Sequence, residues 1–266
     1  MVVKMLNYVI HNNEKENWVV FIHGIGGNTK MWKRQLKSFS EKYNLLLLDL
    51  PGHGLSQEEE LIKKITPENV NLAIKEVLDK ENIQKADFVV LSLGCLVIAN
   101  FVIDYPQYVN SIVFGGSMLK ISTFYKVLAT IIKKTKRIVP YRFIYKLLAL
   151  MIIPSKSRKR LRNFFVRESL KMGRESFLQW VDYIAQISHP NKLFKRMKEL
   201  SIKMLFVSGE EDIYFLEGTK ELSKTLKESS IKVIEKCGHI CSIEKPQEFN
   251  EISLDFLNNV HTPILT

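Results

Sequence analysis

Six short apolar runs, separated by stretches of helical periodicity, constrain the fold of this chain more than any other feature. They span 18–24 (WVVFIHG), 45–52 (LLLLDLPG), 87–92 (DFVVLS), 111–116 (SIVFGG), 203–209 (KMLFVSG) and 232–238 (KVIEKCG), and each closes on glycine or a polar residue. Runs of this kind suit strands buried on both faces. Their alternation with helical patterns at 66–82, 93–104, 217–227 and 245–259 predicts βαβ units and a mostly parallel sheet. The first helix should open at Thr66-Pro67-Glu68, a cap followed by an N-terminal proline. The segment 6–11 (LNYVIH) reads as an outer strand.

Composition narrows the alternatives. With 266 residues, 46% of them hydrophobic, and only 12 Gly and 8 Pro, collagen-like and disordered readings fail. The length fits one α/β core with an inserted subdomain. Lys4 and Asn7 break the opening apolar residues, so no secretory pattern is expected. The apolar run Leu147–Pro154 is far shorter than the roughly 20 residues of a membrane span. Cys95, Cys237 and Cys241 are an odd set without paired metal spacing, which points to a reduced, cytoplasmic chain holding no structural metal.

The net charge of +11 is unevenly placed. Between Ser117 and Lys198 there are 20 Lys and Arg against Glu168, Glu175 and Asp182, so this window carries +17 and the rest of the chain is net acidic. Its cations interleave with apolar groups such as FYKVLATII and FIYKLLALMII, at the spacing of short amphipathic helices. Three readings stay open: a solvated helical face, peripheral contact with an anionic membrane surface, and an acidic substrate or carrier. Nucleic acid is disfavoured, because no recognised binding motif accompanies the charge.

In open α/β sheets the ligand site lies beyond the carboxyl ends of the strands. There the sequence places His23 with Gly24, Ile25, Gly26 and Gly27, then Asp49 to Gly54, Ser92, Asp212 and His239. Ser92 sits in V-L-S-L-G-C between strand and helix, the setting of a nucleophile elbow. A serine hydroxyl attacks only when a base takes its proton; His239 is the candidate base and Asp212 the group that orients it. The backbone N–H groups of Leu93 and Ile25 are candidate oxyanion donors. The plainer readings are a helix-capping serine, a core histidine and a loop carboxylate. His23 and His53 read as structural residues that hydrogen-bond loops near the site, and the cysteines as packing residues.

Together, HGIGG (23–27), DLPGHGLS (49–56), the Ser92 elbow, SGEED (208–212) and CGHICSIEKPQEF (237–249) resemble the α/β-hydrolase superfamily across 18–116 and 203–260. The resemblance implies the α/β-hydrolase fold: a mostly parallel central sheet flanked by helices, with core residues 1–116 and 199–266 and an inserted helical cap at 117–198. It also favours Asp212 over Glu210 and Glu211 as the acid. One residue departs from the pattern: Val90 stands where the elbow G-x-S-x-G has its first glycine, while Gly94 keeps the second. The implied activity is a serine hydrolase that cleaves a small-molecule acyl ester through an acyl-enzyme, without cofactor or metal. A thioesterase, a C–C bond hydrolase and a weakly active ligand-binding or signalling member are the alternatives. The cap aromatics and leucines, Phe124, Tyr125, Leu128, Phe143, Leu147, Phe164, Phe165, Phe177 and Trp180, are expected to form a pocket for a hydrophobic acyl chain.

Overall fold

Among the described residues, seven strands form one sheet: β1 (Tyr8–His11), β2 (Trp18–Ile22), β3 (Asn44–Leu48), β4 (Ala86–Leu91), β5 (Val109–Gly115), β6 (Lys203–Gly209) and β7 (Ser229–Ile234). Their order is β1-β3-β2-β4-β5-β6-β7, with only β1 antiparallel to its neighbour. The computed structural model describes residues 5–262 other than 59, 60, 62, 63, 121–130, 133, 136, 137, 188 and 189. Its helices are α1 (Lys33–Ser40), α2 (Pro67–Lys80), α3 (Leu93–Asp104), α4 (Tyr141–Ile152), α5 (Lys159–Ser169), α6 (Gly173–Ile187), α7 (Pro190–Met197), α8 (Leu216–Ser223), α9 (Cys241–Glu244) and α10 (Pro246–His261).

Successive side chains of a strand point to opposite faces, and the core divides accordingly. Val20, Ile22, Phe88, Val90, Ile112 and Phe114 pack with α2, α3 and α6. Val19, Phe21, Val89, Leu91, Val113 and Leu205 pack on the other face with Phe39 of α1 and with Phe249 and Leu257 of α10. Both faces are covered, which is why the strands read as continuous apolar runs.

The predicted cap of α2 is present: Thr66 is extended and its side chain accepts a hydrogen bond from Asn69 N, with Pro67 opening the helix. One boundary differs. The run 232–238 is a strand only to Ile234, and Lys236 takes a positive φ of 50° that turns the chain before His239. Helices α4 to α7 lie between β5 and β6 in the chain, and Trp180 of α6 donates its indole N–H to Pro51 O at 2.9 Å, tying them to the loop after β3. Among the described residues, no helix is long and apolar enough to cross a membrane.

Candidate active site

The chain turns sharply at Ser92, between β4 and α3. Ser92 has φ 54° and ψ −111°, a left-handed conformation that a non-glycine residue adopts only when its surroundings enforce it. Two features enforce it. The Ser92 N–H donates to Gly115 O of the neighbouring strand, and α3 begins at the next residue. Gly94 lets that helix approach β2: a Cβ there would lie 2.7 Å from Ile22 O and 2.9 Å from His23 O. Val90, which stands where the elbow pattern has its first glycine, lies opposite Ile22 and Phe114 in register and is fully buried on the α3 face.

Three residues far apart in sequence meet at this joint. The His239 ring lies with Nδ1 2.8 Å from Asp212 Oδ2 and Nε2 2.9 Å from Ser92 Oγ. A carboxylate only accepts, so Nδ1 carries the proton and Nε2 is free to accept from the Ser92 hydroxyl. All three side chains are buried. Asp212 is held in the turn after β6, and the ring of Phe215 sits 5.0 Å from the imidazole. Gly116 makes room for the histidine loop: it has φ 51°, and a Cβ there would fall 2.3 Å from His239 O. Met118 Sδ lies 3.1 Å from Ser92 Oγ, a contact for which the sequence carried no signal.

Ile25, the first of the expected donors, lines the same cavity as Ser92 and His239. Its neighbours are spoken for: the Gly26 N–H donates to His53 Nε2 at 2.9 Å and the Gly27 N–H to Gly24 O. Leu93, the second, is the first residue of α3, where the helix leaves its N–H groups without intrahelical acceptors.

His23 and His53 hold loops, as their positions suggested. His23 donates from Nδ1 to Gly24 O and accepts the Leu50 N–H at Nε2; His53 donates from Nδ1 to Pro51 O. Both rings are therefore neutral. Burial, the leading cause, lowers the pKa of each, and the adjacent His23 pushes His53 down further. The cysteines are buried free thiols; burial raises all three, Cys237 to about 12, so none is a thiolate at neutral pH.

A cavity of about 220 Å³ opens on Ser92 and His239. Its core side includes Met31, Ile240 and Ile243; its other wall is Ile152 of α4 with Leu161, Phe164, Phe165 and Glu168 of α5. The pocket expected from sequence is thus partly corrected. Phe164 and Phe165 line it, but Phe177 and Trp180 are buried in the core and Phe143 and Leu147 face solvent. Phe124, Tyr125 and Leu128 lie outside the described residues, as do Lys133, Lys136 and Arg137. Glu168 sits at the rim, where Lys171 at 2.6 Å and then Arg167 hold its carboxyl below the usual range.

Sequence reading also missed a clamp on the His239 loop. The Glu244 carboxylate accepts the N–H groups on both sides of the histidine, Gly238 N at 2.9 Å and Ile240 N at 3.1 Å. Arg158, just before α5, pairs with Glu244 and with Glu211 at 2.5 Å each and donates to Lys236 O at 3.1 Å. One guanidinium therefore braces the loops that carry His239 and Asp212. Arg158→Ala is expected to cost about 2 kcal/mol of stability, read from urea midpoints, because the nearly buried Glu244 loses its cation. Arg158→Lys should recover only part of it, since ammonium lacks the two-pronged fork. Full recovery by lysine would contradict this reading.

A parallel sheet with a left-handed Ser, a buried His and an Asp at its carboxyl edge defines the class of α/β-hydrolase folds. A family model described as alpha/beta hydrolase fold matches residues 17–133. The chain is 24% identical over 275 residues to "Epoxide hydrolase 1" of Caenorhabditis elegans, covering 95% of this chain and 68% of that protein. It is 22% identical over 265 residues to "Monoacylglycerol lipase ABHD6" of Bos taurus, covering 92% and 76%. A solved thermophilic esterase from Thermogutta terrifontis superposes with a TM-score of 0.81 at 20% identity, over 97% of this chain and 94% of that one. The chain therefore has the α/β-hydrolase fold.

Proposed function

We propose that this protein is a serine hydrolase of acyl esters with an apolar acyl chain, and that the helices between β5 and β6 act as its cap. The observation that carries this reading is the hydrogen-bonded line Ser92 Oγ, His239 Nε2, His239 Nδ1, Asp212 Oδ2, buried at the mouth of an apolar cavity. The lipase and esterase among the similar proteins support it.

In this mechanism Ser92 Oγ attacks the ester carbonyl carbon while its proton passes to His239 Nε2. Asp212 steadies the imidazolium that results. The carbonyl oxygen becomes an oxyanion, which the N–H groups of Ile25 and Leu93 receive; each such donor is worth about 3 kcal/mol in the transition state. Collapse breaks the C–O bond, and the imidazolium proton goes to the departing alkoxide, leaving an acyl-Ser92. Water, deprotonated by the now neutral His239, then releases the acid and restores the serine.

The alkyl tail enters the cavity walled by Met31, Leu161, Phe164 and Phe165. A second, more polar cavity of about 310 Å³ shares Gly26, Gly27, Asn28, Lys30 and Glu168 with the first and suits the polar part of an amphiphilic ester. A panel of p-nitrophenyl esters of rising chain length tests the assignment. Each buried methylene adds about 0.8 kcal/mol, so kcat/KM should climb about fourfold per carbon until the cavity is full. Leu161→Trp should shift the optimum to shorter chains. Equal rates from acetate to dodecanoate, or an unmoved optimum in the tryptophan variant, would count against an acyl pocket at this place.

A further inference from the structure

Helix α4 hides one face and leaves another unpartnered. Ile144, Tyr145 and Ala149 are buried, whereas Phe143, Leu147 and Leu150, spaced one and two turns apart, are exposed, Phe143 by 65%. Exposed side chains of this size on consecutive turns form a stripe rather than scattered surface residues. Cations share it: Arg142 and Lys146 are exposed on the same helix. On α5 the pattern repeats, with the half-exposed Phe164 one turn from exposed Arg160 on one side and from Arg167, whose guanidinium lies 5.3 Å from the ring, on the other. Phe164 also lines the cavity at Ser92, and Ile152 at the end of α4 lines it too.

We propose that the exposed face of α4 and α5 is a docking surface for an anionic lipid bilayer, which seats the mouth of the acyl cavity against the lipid. Charge selects this occupant. Apolar side chains interleaved with arginine and lysine insert among acyl chains while their cations meet lipid phosphates. A second copy of the chain would bring the same cations against these, and like charges would oppose it. The short helices lie on the surface and do not cross it. Docking does not depend on the hydrolytic reading, since none of Arg142, Phe143, Lys146, Leu147 and Leu150 touches Ser92 or His239.

Sedimentation of the full chain with vesicles tests the proposal. Vesicles of phosphatidylcholine mixed with phosphatidylglycerol at roughly two to one should bind at least about tenfold more tightly than phosphatidylcholine alone, and less tightly in high salt. The charge variant Arg142→Glu with Lys146→Glu and the apolar variant Phe143→Ser, Leu147→Ser, Leu150→Ser should each lose most of this binding. Ser92→Ala should keep it, which separates docking from catalysis. Both surface variants should keep the wild-type circular dichroism spectrum and urea midpoint, a check that they are folded which does not rest on hydrolysis. Equal binding to neutral and anionic vesicles overturns the proposal, as does undiminished binding by the folded variants. So does lipid-free self-association abolished by the serine variant, which assigns the stripe to a second copy. Binding to polyglutamate as tight as to anionic vesicles also overturns it, assigning the face to an acidic protein.

Discussion

Replacing Ser92 with alanine is expected to lower ester hydrolysis by about a millionfold, because the hydroxyl that His239 Nε2 contacts at 2.9 Å is the attacking group of the acyl-enzyme route. The fold should survive. Alanine removes one oxygen from a site whose backbone is fixed by the Ser92 N–H bond to Gly115 O and by the start of α3. Asp212→Asn should cost about ten thousandfold by a different route: an amide at the position of Oδ2 can favour the wrong imidazole tautomer, leaving Nε2 protonated and unable to accept from serine. A fluorophosphonate reports the same chemistry directly. It should attach to the wild-type protein and fail to attach to Ser92→Ala. Wild-type protein that stays unlabelled, with no ester turnover, would move the site from catalysis to ligand binding.

Loss of stability on mild acidification is the second large effect. His23 and His53 are buried as neutral rings with pKa values held below the ordinary histidine value, burial being the main cause. In the unfolded chain both protonate near 6.5. Below that pH the unfolded chain binds protons that the native chain refuses, so stability rises with pH in this range and falls as pH drops beneath 6.5. Two such groups together approach about 3 kcal/mol per pH unit. His261 works in the opposite direction: its hydrogen bond to Asp87 raises its pKa, so its contribution is complete below 6.5 and fades as pH rises through the raised value. It is one partly exposed group against two buried ones, so the acid loss prevails. Urea midpoints at successive pH values between neutral and mildly acidic measure this, and His53→Gln should roughly halve the slope. A midpoint that holds steady across that range would show that the two rings take up protons in the folded chain.

The strands were legible because burial on both faces leaves an unbroken apolar run, and the helix α2 because Thr66 and Pro67 mark its start chemically. Helix α1 was not. Its eight residues, KRQLKSFS, are mostly polar, and only Gln35 and Phe39 are buried, too few for a periodic signal. The edge strand β7 was misplaced by several residues because it is half-exposed and its apolar pattern is weak.

The candidate site divides in the same way. Ser92 and His239 were identifiable because strand ends in this fold sit at one edge of the sheet and because a nucleophile and a base must be of particular residue types, whereas Asp212 was singled out from Glu210 and Glu211 by the resemblance. The clamp of Arg158, Glu244 and Glu211 was not, since an arginine in a basic segment looks like any other until the chain brings two carboxylates to it.

The sequence by itself determined the succession of the apolar strands and of helices α2, α3, α8 and α10, the residue types at the strand ends and the excess charge of the segment between β5 and β6, because each follows from local periodicity and composition. Only the tertiary structure decided which face of each amphipathic helix meets the cavity and which meets solvent. Periodicity tells that Phe143, Leu147 and Leu150 share a side, but burial is a property of what packs against that side. On α4 the packed side is Ile144, Tyr145 and Ala149, which leaves the phenylalanine and leucines outside.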